Sequence, residues 1–216
     1  PHPWNIDFPH LMLRAKAVHF KQEGARFRDR LLTSTDRLGK LATIPVVVQT
    51  VNWANRTPAT RALMEKALGV AKEAALPPYA TKSFRKGVEK SLAWPVKNGQ
   101  RTPGKVAIFS TCYVNYNEPG IGRDLTKILG HNEIPFTIAA AEACCGMPKL
   151  ELGDLEQVEN LKDINIPQLA ALAREGYAIV TPVPSCTLMF KQELPLMFPD
   201  DADTQLVKAA MFDPFE

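Results

Sequence analysis

Three short apolar runs alternate with helix-forming sequence after residue 104, and this alternation constrains the fold more than any other feature. The runs occupy residues 106–109, 136–140 and 177–180, and helical sequence follows at 121–129, at 151–161 with 167–175, and from 187. A strand–helix repeat of this kind is typical of a parallel sheet with right-handed crossovers. The pattern therefore predicts an α/β fold, with a parallel-sheet module over residues 105–216.

The first 104 residues differ, because their apolar residues recur at helical spacing. Two amphipathic arcs lie within residues 8–40, broken at Gly24 and Gly39, and a further helix is expected from Thr57 as N-cap and Pro58 to a stop at Gly69. Residues 44–51 are apolar and β-branched, and fit either a short strand or a buried helix. Residues 77–104 have the composition of a linker or wrapping segment. We predict a mainly α-helical basic segment with its linker at 1–104.

Charge is divided unevenly between the two parts. Residues 1–104 contain 18 Lys and Arg against 7 Asp and Glu, whereas residues 105–216 contain 8 against 16. The basic part suggests a surface for a charged partner, and the alternative is two solvated faces of opposite sign. Residues 8–40 combine basic and apolar side chains, which suits either peripheral contact with an anionic membrane or packing on the protein's own core. No nucleic-acid partner is expected.

Several function classes find no support in the sequence. No run approaches 18 uninterrupted apolar residues, and no secretory signal is visible. There is no Ser-His-Asp arrangement, no pair of catalytic carboxylates, no phosphate-binding glycine loop and no flavin fingerprint. The chain begins at proline, so we expect a piece of a longer polypeptide. Without an export signal, the cytoplasm is the expected location, with peripheral contact at the inner face of the membrane as an extension.

All four cysteines follow the predicted strands: Cys112 the first, Cys144 and Cys145 the second, and Cys186 the third. The carboxyl ends of parallel strands lie along one edge, where ligands bind. Cys186 is expected to start a helix with Ser185 as N-cap, and the positive helix end would stabilise a thiolate. Clustered thiols in a reducing compartment suggest metal or redox chemistry.

Spacing alone leaves three alternatives open for the cysteines. They could be buried hydrophobic residues. Zinc also suits four thiolates, although structural zinc sites usually supply ligands as closely spaced Cys pairs, and the gaps here are 31 and 40 residues. A redox-active disulfide between Cys144 and Cys145 would leave Cys112 and Cys186 unexplained. The histidines do not cluster with the cysteines, and we expect surface or capping roles for His2, His10, His19 and His131.

The cysteine pattern C-x31-C-C-G-x39-C resembles the CCG domain, the cysteine-rich module of proteins related to the B subunit of heterodisulfide reductase and to the C subunit of anaerobic glycerol-3-phosphate dehydrogenase. The flanking sequence is similar as well: LLTSTD at 31–36, QTVNWANR at 49–56, CCGMP at 144–148 and PSCTLM at 184–189. The resemblance extends over nearly the whole chain.

The resemblance implies an iron–sulfur cluster of the 4Fe–4S type, cubane or non-cubane, held by Cys112, Cys144, Cys145 and Cys186, with no catalytic side chain. The implied function is that of an electron-transfer subunit in a membrane-associated or heterodisulfide-reductase-like oxidoreductase. Such a subunit passes electrons between a flavin or thiol-redox partner and a quinone or disulfide acceptor, beside other subunits or domains of a redox complex. The alternative is an adaptor that docks a membrane or a partner, with a purely structural iron–sulfur or zinc site.

The chain departs from the family pattern in three respects. The pattern usually ends Cys-x-x-Cys, whereas Met189 stands three residues after Cys186. The family usually has two CCG modules and often a ferredoxin-like segment, whereas this chain has one module, as in a fragment. Four thiolates suffice for one 4Fe–4S cluster, so we expect Met189 to shield it rather than to bond iron. Tyr113 and Tyr116 could either shield the cluster or simply pack beside it. Lys149 and Lys191 are expected to be solvated surface lysines rather than groups that offset cluster charge.

Overall fold

A five-stranded sheet forms the centre of the fold. The computed structural model describes residues 7–97, 102–140 and 142–216. The strand order is β1-β3-β2-β4-β5, with β2 to β5 mutually parallel and β1 antiparallel to β3. The predicted α/β class is therefore confirmed. The strands are β1 (Ser91–Leu92), β2 (Val106–Ile108), β3 (Phe136–Ile138), β4 (Ala178–Val180) and β5 (Met211–Phe212).

Helices make up most of the described part of the first segment, as predicted. The Asp7 carboxylate accepts a hydrogen bond from the His10 backbone N–H at the start of the first helix, which ends at Gly24 with a φ of 70°. The helices are α1 (Phe8–Glu23), α2 (Phe27–Leu32), α3 (Thr35–Ala42), α4 (Val47–Arg56), α5 (Pro58–Leu68) and α6 (Phe84–Gly87). None of the described helices is both long and apolar enough to cross a membrane.

The second part alternates strands and helices. Its helical elements are α7 (Cys112–Tyr116), α8 (Pro119–His131), α9 (Met147–Leu152), α10 (Leu155–Arg174), α11 (Pro184–Leu188), a π-helical turn (Met189–Glu193), α12 (Leu194–Met197) and α13 (Ala202–Ala210). Neighbouring side chains of a strand point to opposite faces of a sheet. Accordingly, Ala107 and Ile108 belong to two different core clusters, so apolar packing covers both faces of the sheet.

The first segment packs directly on the module. Lys16 of α1 pairs with Glu151 of α9 at 2.6 Å, and a Cβ at Gly153 would lie 2.5 Å from the Lys16 carbonyl oxygen. Strand β1 also joins the sheet through its pairing with β3. The division of the chain at residue 104 stays a prediction.

The first segment departs from the sequence-based expectation in several places. Residues 77–104 are more than a linker, because they include α6, the fully buried Phe84 and the edge strand β1. Gly39 does not break a helix but lies inside α3, where a Cβ would be 2.2 Å from the Tyr116 ring. The undecided residues 44–51 contribute to α4. Thr57 occupies the predicted N-cap position of α5, but its side chain does not cap the helix, because its hydroxyl donates to the Trp53 carbonyl.

Three boundaries in the module also differ from the expectation. The helix predicted over 151–161 is divided at Gly153, where α9 ends, and α10 begins at Leu155. The predicted break near Pro167 is absent, and α10 runs through it, because burial of Ile166, Leu169 and Ala170 offsets the lost backbone hydrogen bond. The helix expected from residue 187 begins at Pro184, so Ser185 is inside it and is not the N-cap. Cys186 therefore lies in the first turn of α11 rather than at its start.

Candidate metal centre

All four cysteines lie just beyond the carboxyl ends of parallel strands, as expected. Cys112 is the first residue of α7 after β2, Cys144 and Cys145 precede α9 after β3, and Cys186 follows β4. Cys112 is partly buried, and the exposed fractions of the other three are 4%, 4% and 5%. The topology therefore brings thiols that are up to 74 positions apart to one edge of the sheet.

The four thiols form a continuous chain of contacts. Cys144 contacts Cys112 on one side and Cys145 on the other, and Cys145 also contacts Cys186. All four are free thiols. The candidate disulfide between Cys144 and Cys145 is thus not formed. Within the described ranges, no set of three or more His, Cys, Asp or Glu side chains is arranged as around a single metal ion.

These contacts separate the acidities of the thiols. Hydrogen bonding to Cys144, together with burial, raises the pKa of the Cys112 thiol. Hydrogen bonds from Cys112 and Cys145 lower the pKa of the Cys144 thiol far below its ordinary value, with a further contribution from Thr35. The pKa of Cys145 is raised, first by its bond to Cys144. The contacts among the four thiols therefore favour a thiolate at Cys144, and the thiolate is the form that binds metals.

Side chains from the first segment complete the surroundings of the thiols. The Thr35 hydroxyl donates to Cys112 Sγ at 3.4 Å and to Cys144 Sγ at 3.5 Å. The Cys144 backbone N–H donates to Asp36 Oδ2 at 2.8 Å, and burial raises the pKa of the Asp36 carboxyl. Residues that are distant in sequence thus contact both the sulfur atoms and the backbone of the cysteine loop.

The loop that carries Cys144 is held by side chains of its own module. Asn165 of α10 accepts from the Ala143 N–H at 3.0 Å and donates to the Cys144 carbonyl at 3.0 Å. Glu142 accepts from the Ser110 N–H at 2.7 Å and lies 3.0 Å from an Arg85 guanidinium nitrogen. Burial raises the pKa of the Glu142 carboxyl to about 7. These bonds hold Cys144 against the loop that leads to Cys112.

The expectations for Met189 and for the tyrosines and lysines near the cysteines agree with the structure only in part. Met189 is fully buried in the same core cluster as Cys144, Cys145 and Cys186. The expectation of a solvated Lys149 is wrong, because that side chain is 9% exposed and hydrogen-bonded, whereas Lys191 is partly exposed and pairs with Glu216. Tyr113 is exposed, and Tyr116 is buried against Gly39.

The described histidines lie away from the thiols: two of them pair with carboxylates, and the third ends a helix. His10 bonds to Asp7 and to Glu193 Oε2, the latter at 3.2 Å, and His19 pairs with Glu23 at 3.4 Å. His131 ends α8. His2 lies outside the described residues.

Three cavities reach the cysteine chain, and the smallest, of about 170 Å³, reaches Cys112 beside Arg85 and Glu142. A polar cavity of about 480 Å³ reaches Cys144, and an apolar cavity of about 380 Å³ reaches Cys112. Thr35 lines both. A larger cavity of about 860 Å³, near His10 and Lys191, includes none of the cysteines.

Sequence reasoning missed the residues that support the cysteines. Thr35 and Asp36 stand in the LLTSTD run, and that run of polar residues after two leucines was the available signal. Nothing in the sequence near Asn165, Glu142 or Arg85 singles them out. Their roles depend on contacts across 22 to 57 positions, which local pattern does not reveal.

The donor set fits an iron–sulfur cluster. Fe–S clusters are held by Cys thiolates, and four cysteines provide one ligand for each iron of a 4Fe–4S cluster. The four thiols, three of them nearly inaccessible, come together where backbone turns and the Thr35 hydroxyl can donate to sulfur. The fold and the thiol set define a class of protein: an iron–sulfur protein with its cysteines at the edge of an α/β sheet.

Comparison with known proteins agrees with this class. Residues 106–191 match the family described as the cysteine-rich domain, CCG. Residues 106–191 are therefore similar to the CCG cysteine-rich domain, and the predicted resemblance and the iron–sulfur cofactor that it implies are confirmed. No solved structure gives a significant match.

Three curated relatives illustrate the similarity. The C subunit of anaerobic glycerol-3-phosphate dehydrogenase from Escherichia coli K12 is 26% identical over 196 residues, which cover 89% of this chain and 47% of that protein. The B subunit of fumarate reductase (CoM/CoB) from Methanothermobacter marburgensis is 30% identical over 98 residues, or 45% of this chain and 19% of the relative. Lactate utilization protein A from Bacillus cytotoxicus is 30% identical over 97 residues, which cover 45% of this chain and 38% of that protein. The chain thus spans less than half the length of each.

Proposed function

We propose that Cys112, Cys144, Cys145 and Cys186 together hold one iron–sulfur cluster and that the chain transfers electrons as part of a redox complex. The observation that carries the proposal is the continuous chain of four thiol contacts at the carboxyl edge of the sheet. A bound cluster supplies one-electron redox chemistry there. The chain's own residues provide thiolates, hydrogen-bond donors to sulfur, and burial that excludes water.

Other subunits or domains of a redox complex are the proposed partners. The relatives named above include subunits of a glycerol-3-phosphate dehydrogenase and of a fumarate reductase, and this chain corresponds to less than half of each. A flavin or thiol-redox group in such a partner is the proposed electron donor. A quinone or a disulfide is the proposed acceptor.

The apolar cavity supports a quinone as a candidate acceptor. Its walls include aliphatic side chains of α2 to α5 and the ring of Tyr79, and it reaches Cys112. A cavity of about 380 Å³ with a few polar groups has the size and character of a small-molecule site. An apolar ring bound there would lie next to a proposed cluster ligand.

Helix α1 supports peripheral membrane contact within the proposed region 8–40. Phe8, Leu11 and Val18 are 59%, 52% and 55% exposed, and Arg14, Lys16 and Lys21 lie on the same helix. Apolar and basic side chains on one surface helix are the combination that binds anionic lipid. A cytoplasmic protein at the inner face of the membrane is the corresponding proposal for location.

Visible spectroscopy separates the electron carrier from the adaptor. We expect the anaerobically purified protein to have a visible absorption band that bleaches on addition of dithionite and returns on mild oxidation. A band that does not respond to reductant would favour an adaptor with a structural cluster, and zinc without a visible band would favour the zinc adaptor.

Single substitutions test the ligand set. We expect Cys→Ala changes at positions 112, 144, 145 and 186 each to lose much of the iron, because each removes one thiolate from the cluster. Ser185→Ala is a matched control, since Ser185 is an exposed neighbour of Cys186. Full iron and sulfide in all four cysteine variants would refute the proposed site.

A further inference from the structure

The turn formed by residues 33–36 runs from the end of α2 into the first residues of α3, and each of its side chains contacts Cys144 or Lys149. Lys149 Nζ donates to Thr33 Oγ1 at 3.0 Å and to Ser34 Oγ at 3.1 Å. Thr35 donates to two cysteine sulfurs, and Asp36 accepts from the Cys144 N–H at 2.8 Å. Four consecutive residues of the first segment therefore contact the stretch 144–149, which lies 108 to 116 positions away.

Thr35 occupies the central position in this turn. Its hydroxyl is 3.4 Å from Cys112 Sγ and 3.5 Å from Cys144 Sγ, so it lies between two proposed ligands. The bonds of its neighbours to Lys149 and to the Cys144 backbone fix the turn and hence the direction of the hydroxyl.

We propose that Thr35 is a positioning residue that raises the reduction potential of the iron–sulfur cluster, an inference that rests on the proposed function. One-electron reduction adds negative charge to the cluster and its thiolate ligands. A hydroxyl that donates to two of those sulfurs stabilises the reduced state more than the oxidised state. Hydrogen bonds to cluster sulfurs are among the established determinants of such potentials.

The test is a redox titration of three variants with dithionite as electron donor, followed by electron paramagnetic resonance. Thr35→Val removes the hydroxyl and keeps the branched shape, whereas Thr35→Ser keeps the hydroxyl. Thr50→Val is the matched control, because the exposed Thr50 hydroxyl donates to the Val46 carbonyl and contacts none of the cysteines. Iron and sulfide are determined for every sample, together with the midpoint potential.

We expect Thr35→Val to keep its iron and to have a more negative midpoint potential. Loss of a hydrogen bond to a charged acceptor should change the reduced-to-oxidised ratio at the wild-type midpoint about tenfold. For one electron, a tenfold change corresponds to about 59 mV. Thr35→Ser and Thr50→Val should both stay near the wild-type potential.

If the valine variant loses its iron–sulfur cluster, the potential can still be measured in Thr35→Ala. That variant also removes the hydroxyl but does not retain a branched side chain. Loss of iron from both the Val and the Ala variant, with retention in Ser, would overturn the inference, because the hydroxyl would then be needed to keep the cluster rather than to set its potential. An unchanged potential in an iron-replete Thr35→Val or Thr35→Ala protein would overturn the inference while leaving the proposed function intact. A wild-type protein without iron would contradict both.

Discussion

At the scale of single residues, Cys144 is the point where most contacts of the site meet. Its sulfur contacts two other cysteines and the Thr35 hydroxyl, its N–H donates to Asp36, and its carbonyl accepts from Asn165. Every polar atom of this residue therefore has a partner. When all hydrogen-bonding atoms of a buried group have partners, its position is fixed, because any displacement would break several bonds together.

Met189 allows a test of which sulfur atoms bind iron. The side chain is fully buried and belongs to the π-helical turn after α11. It packs in the hydrophobic core cluster that also contains Cys145 and Cys186. We expect Met189→Leu to keep its iron content and spectra, with a stability change below about 1.5 kcal/mol, because leucine preserves the bulk. Metal analysis and absorption spectra give the answer. Loss of an iron or a marked spectral change would show that the thioether is a ligand.

Lys149 is predicted to hold the first segment against the module. Its amine donates to Thr33, Ser34 and the Arg30 carbonyl, and burial lowers its pKa. We expect Lys149→Met to lower the free energy of unfolding by about 1–3 kcal/mol, since these acceptors lose their donor. Chemical denaturation measures the change.

Lys191 provides the matched control for that substitution. Its ion pair with Glu216 is partly exposed, so Lys191→Met should cost less than about 1 kcal/mol. Equal effects of the two substitutions would contradict the structural role assigned to Lys149.

At the scale of elements, the sequence predicted the parts governed by local pattern. The three central strands, the stop of α1 at Gly24 and the stop of α5 at Gly69 follow from apolar runs and from glycine at positive φ. The two-residue strands β1 and β5 carry no periodic signal, and their pairing depends on neighbours in the sheet. Continuation of α10 through Pro167 depends likewise on tertiary burial.

Helix α1 presents the surface for a membrane-binding test. Each basic residue near an anionic bilayer contributes about 1 kcal/mol, and insertion of apolar side chains adds to it. We expect co-sedimentation with vesicles containing phosphatidylserine at low salt. A Leu11→Ser, Val18→Ser double variant should bind about tenfold or more weakly, because it removes two exposed apolar side chains from the helix.

Ile128→Ser on α8 is the control for that variant, since Ile128 is 59% exposed on a helix of the acidic part. Its binding should equal that of the wild type. An unmodified chain that fails to bind anionic vesicles at low salt would end the membrane proposal and leave a protein partner for α1.

At the scale of the whole molecule, the first segment and the module form one site. The cysteine positions were predictable, because parallel strands bring their carboxyl ends to a common edge. The position of residues 33–36 over that edge was not predictable, because it depends on packing such as the close approach of α3 to Tyr116 at Gly39. Spacing shows which thiols can meet, whereas tertiary contacts decide which side chains surround them.

The most direct test of the central claim is iron and sulfide analysis of the anaerobically purified chain, combined with electron paramagnetic resonance before and after reduction. The proposed four-cysteine site predicts about four iron and four sulfide per chain, with a reversible, reduction-dependent signal from a single cluster. Protein that folds fully but contains no iron, or that contains one zinc in its place, would contradict the claim.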